Sequence, residues 1–238
     1  KEGRLDYRAV FDPSVVPFKR NHALNEVAAD YELSVGQGRM SKLEVLGNRV
    51  EQGREIFWGS LLLKGSSGSL IPIPSVSADS QILSYRATPA IPLTFHRDEA
   101  DNYYVRPATP GRFRLVLVMD AGSSYFGRDI PEGFKISDAR NRRGPRLPTN
   151  VIRSTKRFND SIGLNKDSDY GEALKTLTNY FRGFEPGEPP EPGRDIFTDL
   201  AFGKKGICRH RSFAFVVAAK GLGIPARYVT NEAHIFVE

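Results

Sequence analysis

The pattern of apolar positions changes character partway along the chain. Up to about residue 135, short segments with β-branched or aromatic residues are separated by Gly, Pro, Asn, Asp and Ser at a spacing typical of strands. Ala23–Tyr31 fits either a short helix or a further strand. The pattern predicts a β-rich, sandwich-like module over residues 1–135, with strands at Lys42–Val50, Glu55–Leu63, Ser69–Ile73, Gln81–Tyr85, Tyr103–Arg106 and Arg112–Met119.

After this module the chain becomes rich in charge, glycine and proline, and then takes up a helical period. We therefore predict a basic Pro/Gly linker over residues 136–150 and a second domain over residues 151–238. In that domain, Asp169 fits a helix N-cap with Glu172 three positions later. Apolar residues then repeat at helical spacing as far as Gly183.

The last forty residues predict a buried helix followed by two strands. Ile207–Lys220 is predicted as a helix, and its middle is apolar on all sides, which indicates burial. Asp195–Phe202 predicts a shorter helix before it. Ala226–Thr230 and His234–Glu238 have the composition of two strands joined by a short turn. The chain as a whole is therefore predicted to be α+β.

Composition and charge exclude several classes of protein. The 238 residues are 39% hydrophobic, enough for a substantial core, yet no apolar run approaches the roughly 18 residues of a membrane span. One cysteine rules out an internal disulfide framework. The net charge of +6 is concentrated in Arg140–Arg146, where the absence of aromatic residues favours a solvated linker over a nucleic-acid or anion site. No specific nucleic-acid partner is expected. Because the sequence begins with Lys1 rather than Met, we expect it to be a piece of a longer protein.

The candidate chemistry centres on Cys208. This residue stands at the predicted start of a helix, where free amides and the helix dipole favour a thiolate. Gly206 allows the backbone to bend tightly into that helix. Four neighbouring cations would add to the effect if they point inward: Lys204, Lys205, Arg209 and Arg211.

A lone cysteine is more often an inert buried side chain, but His234 changes that expectation. It begins the second strand, which pairs back toward the helix, and a thiol nucleophile needs a base within hydrogen-bond reach. His210 is only two residues after Cys208 and faces a different direction on a helix, so we assign it a packing or supporting role. A metal site formed by these three residues would lack a fourth ligand and paired cysteines. No metal or cofactor is predicted.

Three motifs together resemble the core of transglutaminase-like proteins, which belong to the wider papain-like thiol fold. The motifs are Gly206-x-Cys208, then Gly223-Ile224-Pro225-Ala226-Arg227-x-Val229, then His234-x-Phe236-Val237-Glu238. The resemblance covers about residues 168–238. It implies that Cys208 is the nucleophile at a helix N-terminus packed on antiparallel strands. It further implies that His234 is the base and that an aspartate on the next strand, after Glu238, orients it.

Within this resemblance Glu238 is not the expected third catalytic residue. On an alternating strand it shares a face with His234, which suits a supporting role. The amide of Cys208 would supply one oxyanion donor, and the second donor has no assignment in the sequence.

The resemblance implies a cysteine-dependent acyl transfer on protein or peptide amides through a thioester. Water as the second nucleophile would make the protein a peptidase or amidase, and lysine would make it a cross-linking enzyme. The expected partner is a protein or peptide substrate, and the expected location is the periplasm or cell envelope of a bacterium, with a cytoplasmic location left open. The alternative is a non-catalytic binding or scaffold domain that keeps the fold.

Overall fold

A computed structural model of the protein describes residues 19–36, 38, 40–47, 51–125, 133–139 and 147–238. The chain divides into two compact units: residues 1–22 with 39–128, and residues 23–38 with 129–238. Residues 23–38, which the sequence pattern groups with the β-rich module, therefore cluster with the second unit. The basic run Arg140–Arg146 and the end of the strand predicted at Lys42–Val50 lie outside the described residues. The division into module, linker and core stays a prediction.

Helices and antiparallel strands are both present, so the mixed fold class predicted from the sequence is confirmed at that level. The described strands, in chain order, are β1 (His22–Leu24), β2 (Glu26–Val27), β3 (Leu33–Ser34), β4 (Ser41–Leu43), β5 (Arg54–Gly65), β6 (Ile71–Ile73), β7 (Gln81–Thr88), β8 (Leu93–Arg97), β9 (Tyr103–Pro107), β10 (Gly111–Gly122), β11 (Tyr228–Thr230) and β12 (Ile235–Val237). The described α-helices are α1 (Thr149–Ser161), α2 (Tyr170–Arg182), α3 (Ile196–Gly203) and α4 (Cys208–Leu222).

The described residues of the first unit form two sheets, ordered β5-β10-β7 and β4-β8-β9-β6. β5 and β10 pair antiparallel along their whole length, from Gly111 opposite Gly65 to Gly122 opposite Arg54. The alternation predicted for β10 is confirmed along its first two thirds, where every second side chain is buried. Both sheets contribute to one hydrophobic core, which includes Phe95, Val105, Phe113 and Leu115.

In the second unit, α2 and α4 follow the predicted signals closely. The side chain of Asp169 accepts a hydrogen bond from the Glu172 amide at 3.0 Å, which satisfies a free donor of the first turn of α2. Burial of Ala214 and of Val216–Ala219 confirms the prediction that the α4 helix is enclosed. No helix in the described ranges is both long and apolar enough to pass through a bilayer.

Helix α1 has no counterpart in the sequence prediction. Pro148 stands at its N-cap and provides no side-chain cap, and all of its first four residues are β-branched or polar, which weakens the local helical signal. Tertiary packing stabilises the helix instead. Asn159 donates a hydrogen bond to the Ala218 carbonyl at 3.1 Å, and Gly221 lets α4 approach closely, since a Cβ there would lie 2.3 Å from Thr155 Cβ.

The small sheet that carries the predicted histidine lies beside α4. Its strand order is β1-β11-β12, and β11 pairs antiparallel with β12 with Val229 opposite Phe236. Tyr228 and Val237 pack against the core formed by the helices. The first residue of α4 and the start of β12 are the two positions from which the candidate site is built.

Candidate active site

Cys208 is the first residue of α4 and is half-buried. The chain reaches it through Gly206, at φ +142°, and through Ile207, in an extended conformation with φ −96° and ψ −173°. Amides in the first turn of a helix have no acceptor within the helix. Their partial positive charge, together with the helix dipole, favours an anion at this position. The backbone therefore places the thiol at the N-terminus of α4.

The loop that precedes Cys208 is held by backbone hydrogen bonds. Lys204 adopts a left-handed conformation at φ 49° and ends α3, with its amide donating to the Leu200 carbonyl at 3.1 Å. Glu185 then pairs with the loop twice: its amide donates to the Lys204 carbonyl at 2.8 Å, and its carbonyl accepts from the Gly206 amide at 2.9 Å. These bonds position the turn into α4.

The four cations near Cys208 divide into two pairs. Lys204 Nζ lies 4.2 Å from the centre of the Tyr180 ring in a cation–π contact. The carbon chain of Lys205 lies against Gly187 in the proline-rich loop, where an added Cβ would stand 2.9 Å from Lys205 Cε. These two lysines are engaged with other groups, which leaves Arg209 and Arg211 as the cations nearest to the start of α4.

His210 contacts the backbone at the start of α4. Its Nδ1 accepts a hydrogen bond from the Ile207 amide at 3.2 Å, and its Nε2 lies 3.3 Å from Arg209 Nε. A neutral imidazole has one acceptor nitrogen, so only one of these two bonds forms in a given tautomer. Burial lowers the pKa of His210, as does the charge of Arg209, while Glu188 opposes them. The supporting role of His210 stays a prediction.

His234 stands at the end of a turn that is shaped by Asn231. The Asn231 side-chain oxygen accepts hydrogen bonds from the amides of Ala233 at 3.0 Å and His234 at 2.7 Å, and the Asn231 amide donates to the His234 carbonyl at 3.0 Å. One residue later, the Ser212 hydroxyl donates to the Ile235 carbonyl at 3.3 Å, which joins β12 to α4. The turn and this contact together hold His234 beside the first turns of α4.

The electrostatic environment of His234 favours its neutral form. Burial lowers the pKa of the imidazole, and the positive charge of Arg211 lowers it further. The ring is therefore neutral at pH 7, the form that a general base requires. No hydrogen bond joins the thiol of Cys208 to the imidazole of His234, both of which are described. Such contacts are often long in unliganded enzymes and shorten when substrate binds.

Tyr228 is a member of this region that the sequence prediction missed. Burial raises the pKa of its hydroxyl, and the negative charge of the Cys208 thiolate raises it further, whereas Arg209 opposes the rise. Tyr228 and Cys208 are thus within electrostatic reach of each other. The available signal was strand alternation, which places Tyr228 opposite Val237 on the face that packs against the helices.

Glu238 interacts with Arg227 on the neighbouring strand. The two residues exchange backbone hydrogen bonds of 2.8 and 3.1 Å, and Arg227 Nη1 lies 3.3 Å from Glu238 Oε2. A supporting role of Glu238 toward His234 remains a prediction. Within the described ranges, no three His, Cys, Asp or Glu side chains are grouped so that they could hold a metal ion.

Substitution of Gly206 by alanine is expected to disturb this site. A Cβ at residue 206 would lie 2.7 Å from both Cβ and Nδ1 of His210, and the backbone has a φ that L residues rarely adopt. We expect a loss of about 2–3 kcal/mol in the free energy of unfolding and slower alkylation of the thiol. Gly223→Ala is the matched control, because its φ of +91° carries similar backbone strain with no atom within 4 Å of the added Cβ. Equal losses in the two variants would show that contact with His210 is unimportant.

Residues 156–235 match the family model of the transglutaminase-like superfamily, which confirms the resemblance predicted from the sequence. No curated protein sequence matches the chain.

Three solved structures are similar to the chain. Two are of the periplasmic domain of TgpA from Pseudomonas aeruginosa. The one bound to ethylmercury has a TM-score of 0.48 at 14% identity and covers 92% of this chain and 74% of its own. The other has a TM-score of 0.47 at 14% identity, and the match covers 91% of this chain and 70% of that structure's chain. The third is a candidate cysteine protease from Cytophaga hutchinsonii. It has a TM-score of 0.37 at 16% identity, and the match covers 77% of this chain and 74% of that structure's chain.

Proposed function

Because residues 156–235 belong to the transglutaminase-like superfamily, we propose that the protein is a cysteine-dependent acyl transferase acting on protein or peptide amides. The observation that carries the proposal is the position of Cys208 at the first residue of α4, with β12, which begins directly after His234, joined to the same helix by the Ser212–Ile235 hydrogen bond. A nucleophile and a base thus come from elements that are packed together.

The proposed reaction has two steps. His234 takes the thiol proton as the sulfur of Cys208 attacks the amide carbonyl carbon, giving a tetrahedral intermediate whose oxyanion accepts from the Cys208 amide. The intermediate collapses to a thioester as the C–N bond breaks, and the imidazolium of His234 returns its proton to the leaving amine. A second nucleophile, deprotonated by the imidazole, then attacks the thioester, releases the acyl product and regenerates the thiol.

We infer that water is the second nucleophile, which makes the reaction a hydrolysis of peptidase or amidase type. Cross-linking requires that water be excluded from the thioester. Here Cys208 is only half-buried and the neighbouring Ile207 is 42% exposed. This accessibility favours hydrolysis over transfer to lysine.

The third catalytic residue and the location are also proposals. By the family resemblance, an aspartate on the strand after β12 would orient His234, and the protein would act in the periplasm or cell envelope of a bacterium. For the first unit, we infer a sandwich-like arrangement of its two sheets, because both contribute residues to one core.

The test is alkylation of Cys208 by iodoacetamide as a function of pH, followed by mass spectrometry. The chain has one cysteine, so every adduct reports on Cys208. We expect Cys208 to react faster at neutral pH in the folded protein than in the unfolded chain, because a base on a neighbouring element activates a thiol nucleophile. Protein unfolded in urea is the internal control. Equal rates in the two states would contradict an activated nucleophile and would favour a non-catalytic binding or scaffold domain.

A further inference from the structure

The charged groups that surround the proposed site are unbalanced in sign. Arg211 lies one helical turn after Cys208, so the two side chains emerge from the same side of α4. The Ser212–Ile235 hydrogen bond places the start of β12 next to this turn, and the charge of Arg211 acts on the His234 ring. Arg211 is therefore adjacent to both members of the proposed dyad.

Arg211 has no anionic partner among the described residues. Its Nε is buried and has no hydrogen-bond acceptor in the described part of the chain, and the guanidinium takes part in no ion pair there. Glu238, the residue after β12, pairs with Arg227. Buried donors in proteins almost always have an acceptor, and Arg211 as a whole is only half-buried, so its guanidinium can donate to an acceptor that arrives from outside.

Arg209 adds a second positive charge to the same region. It is exposed, and its charge acts on both His210 and Tyr228. Like Arg211, it forms no ion pair within the described ranges. An arginine fork matches a carboxylate in shape and binds it through parallel hydrogen bonds, whereas a neutral amide satisfies it less well.

We propose that Arg211, assisted by Arg209, is a specificity-determining residue that binds a carboxylate of the substrate next to the scissile amide. This inference rests on the proposed function. The preferred substrate is then an acidic peptide, with a carboxylate close to the carbonyl that Cys208 attacks. Binding of that carboxylate also brings an anion beside the neutral His234 ring and stabilises the imidazolium that forms during attack.

Two small electrophiles of nearly equal size test the proposal without knowledge of the substrate. Iodoacetate and iodoacetamide react with the same thiolate and differ by one negative charge. The rate constant for iodoacetate divided by that for iodoacetamide, measured at one pH, is therefore independent of how far the thiol is ionised. The reference ratio is measured with N-acetylcysteine amide under the same conditions. We expect the ratio for Cys208 to exceed the reference by about three- to tenfold.

Single substitutions assign that preference to a residue. Arg211→Gln is expected to reduce the ratio about three- to tenfold, and Arg209→Gln about twofold because exposed charges are screened. Lys175→Gln is the control: it removes the same charge from an exposed position on α2, where the side chain is 69% exposed, and should leave the ratio unchanged.

The outcomes separate this inference from the proposed function. If Cys208 reacts with neither electrophile faster than it does in the unfolded chain, the proposed nucleophile is wrong. If it reacts readily with both but shows the reference ratio, or if Arg211→Gln leaves a raised ratio unchanged, the carboxylate site is overturned while the nucleophile stands.

Discussion

Replacement of His234 by alanine is expected to slow acylation of Cys208 by about 10²-fold with an activated ester and by up to about 10⁴-fold with an amide, the range over which a positioned general base contributes. The ester requires less help because nitrophenolate leaves without being protonated. His234 is suited to the role because burial and Arg211 lower its pKa and keep the ring neutral at pH 7. Release of nitrophenolate from 4-nitrophenyl acetate, corrected with Cys208→Ala, measures the effect. Alkylation of the thiol by iodoacetamide at pH 7 should also become slower.

His210 provides the matched control for this experiment. Its Nδ1 accepts from the Ile207 amide, so the ring serves the start of the helix. His210→Ala should therefore cost less than tenfold in the same assay. After subtraction of the hydrolysis that imidazole catalyses in solution without protein, added imidazole should restore part of the rate to His234→Ala and none to Cys208→Ala. Equal losses in the two histidine variants, or an unchanged rate in His234→Ala, would refute the assignment of the base.

Replacement of Phe158 by alanine is expected to have the largest effect on stability, a loss of about 3–5 kcal/mol in the free energy of unfolding. Phe158 is fully buried on α1. Its ring centre lies 5.0 Å from that of Tyr180 and 5.6 Å from those of Phe181, Phe197 and Phe202. Truncation removes these aromatic contacts and leaves a cavity between helices. A loss of this size is a large fraction of the stability of a typical domain.

Urea unfolding followed by circular dichroism at 222 nm measures this loss, since the α-helices of the described residues all lie in the second unit. Phe158→Leu keeps much of the volume and should cost about 1–2 kcal/mol. Phe202→Ala is the second control, because that ring is 45% exposed and contacts Phe158 from the surface. If Phe158→Ala is no worse than Phe202→Ala, the aromatic cluster is not the core that holds α1 in place.

Local patterns were sufficient for elements whose stability is signalled within a few residues. Asp169 as an N-cap places the start of α2, because capping joins a side chain to an amide three positions away. The apolar middle of α4 predicts a buried helix for a similar reason. The alternation in β10 predicts a half-buried strand. In each case the residues that produce the signal lie within about two helical turns or one strand of each other.

Elements without such signals were missed or left undecided. Helix α1 has no side-chain cap and exists because Phe158 and Asn159 pack on other helices. The pattern of Ala23–Tyr31 allowed either a helix or a strand. In the structure Tyr31 stacks at 6.5 Å on Phe197 and donates a hydrogen bond to Ser154 at 2.9 Å. Partners so far away in sequence leave no local pattern.

The candidate site likewise has one part that the local sequence predicts and another that depends on tertiary packing. The sequence by itself determined that Cys208 begins a helix and that His234 follows on a strand, because glycine, apolar runs and turn residues act on their immediate neighbours. Only the tertiary structure decided which side chains surround them. It engages Lys204 with Tyr180, places His210 at the helix start, brings Tyr228 within electrostatic reach of Cys208 and sets Arg211 beside His234. Side-chain direction and long-range contact depend on the packing of whole elements, and that packing is a property of the folded chain.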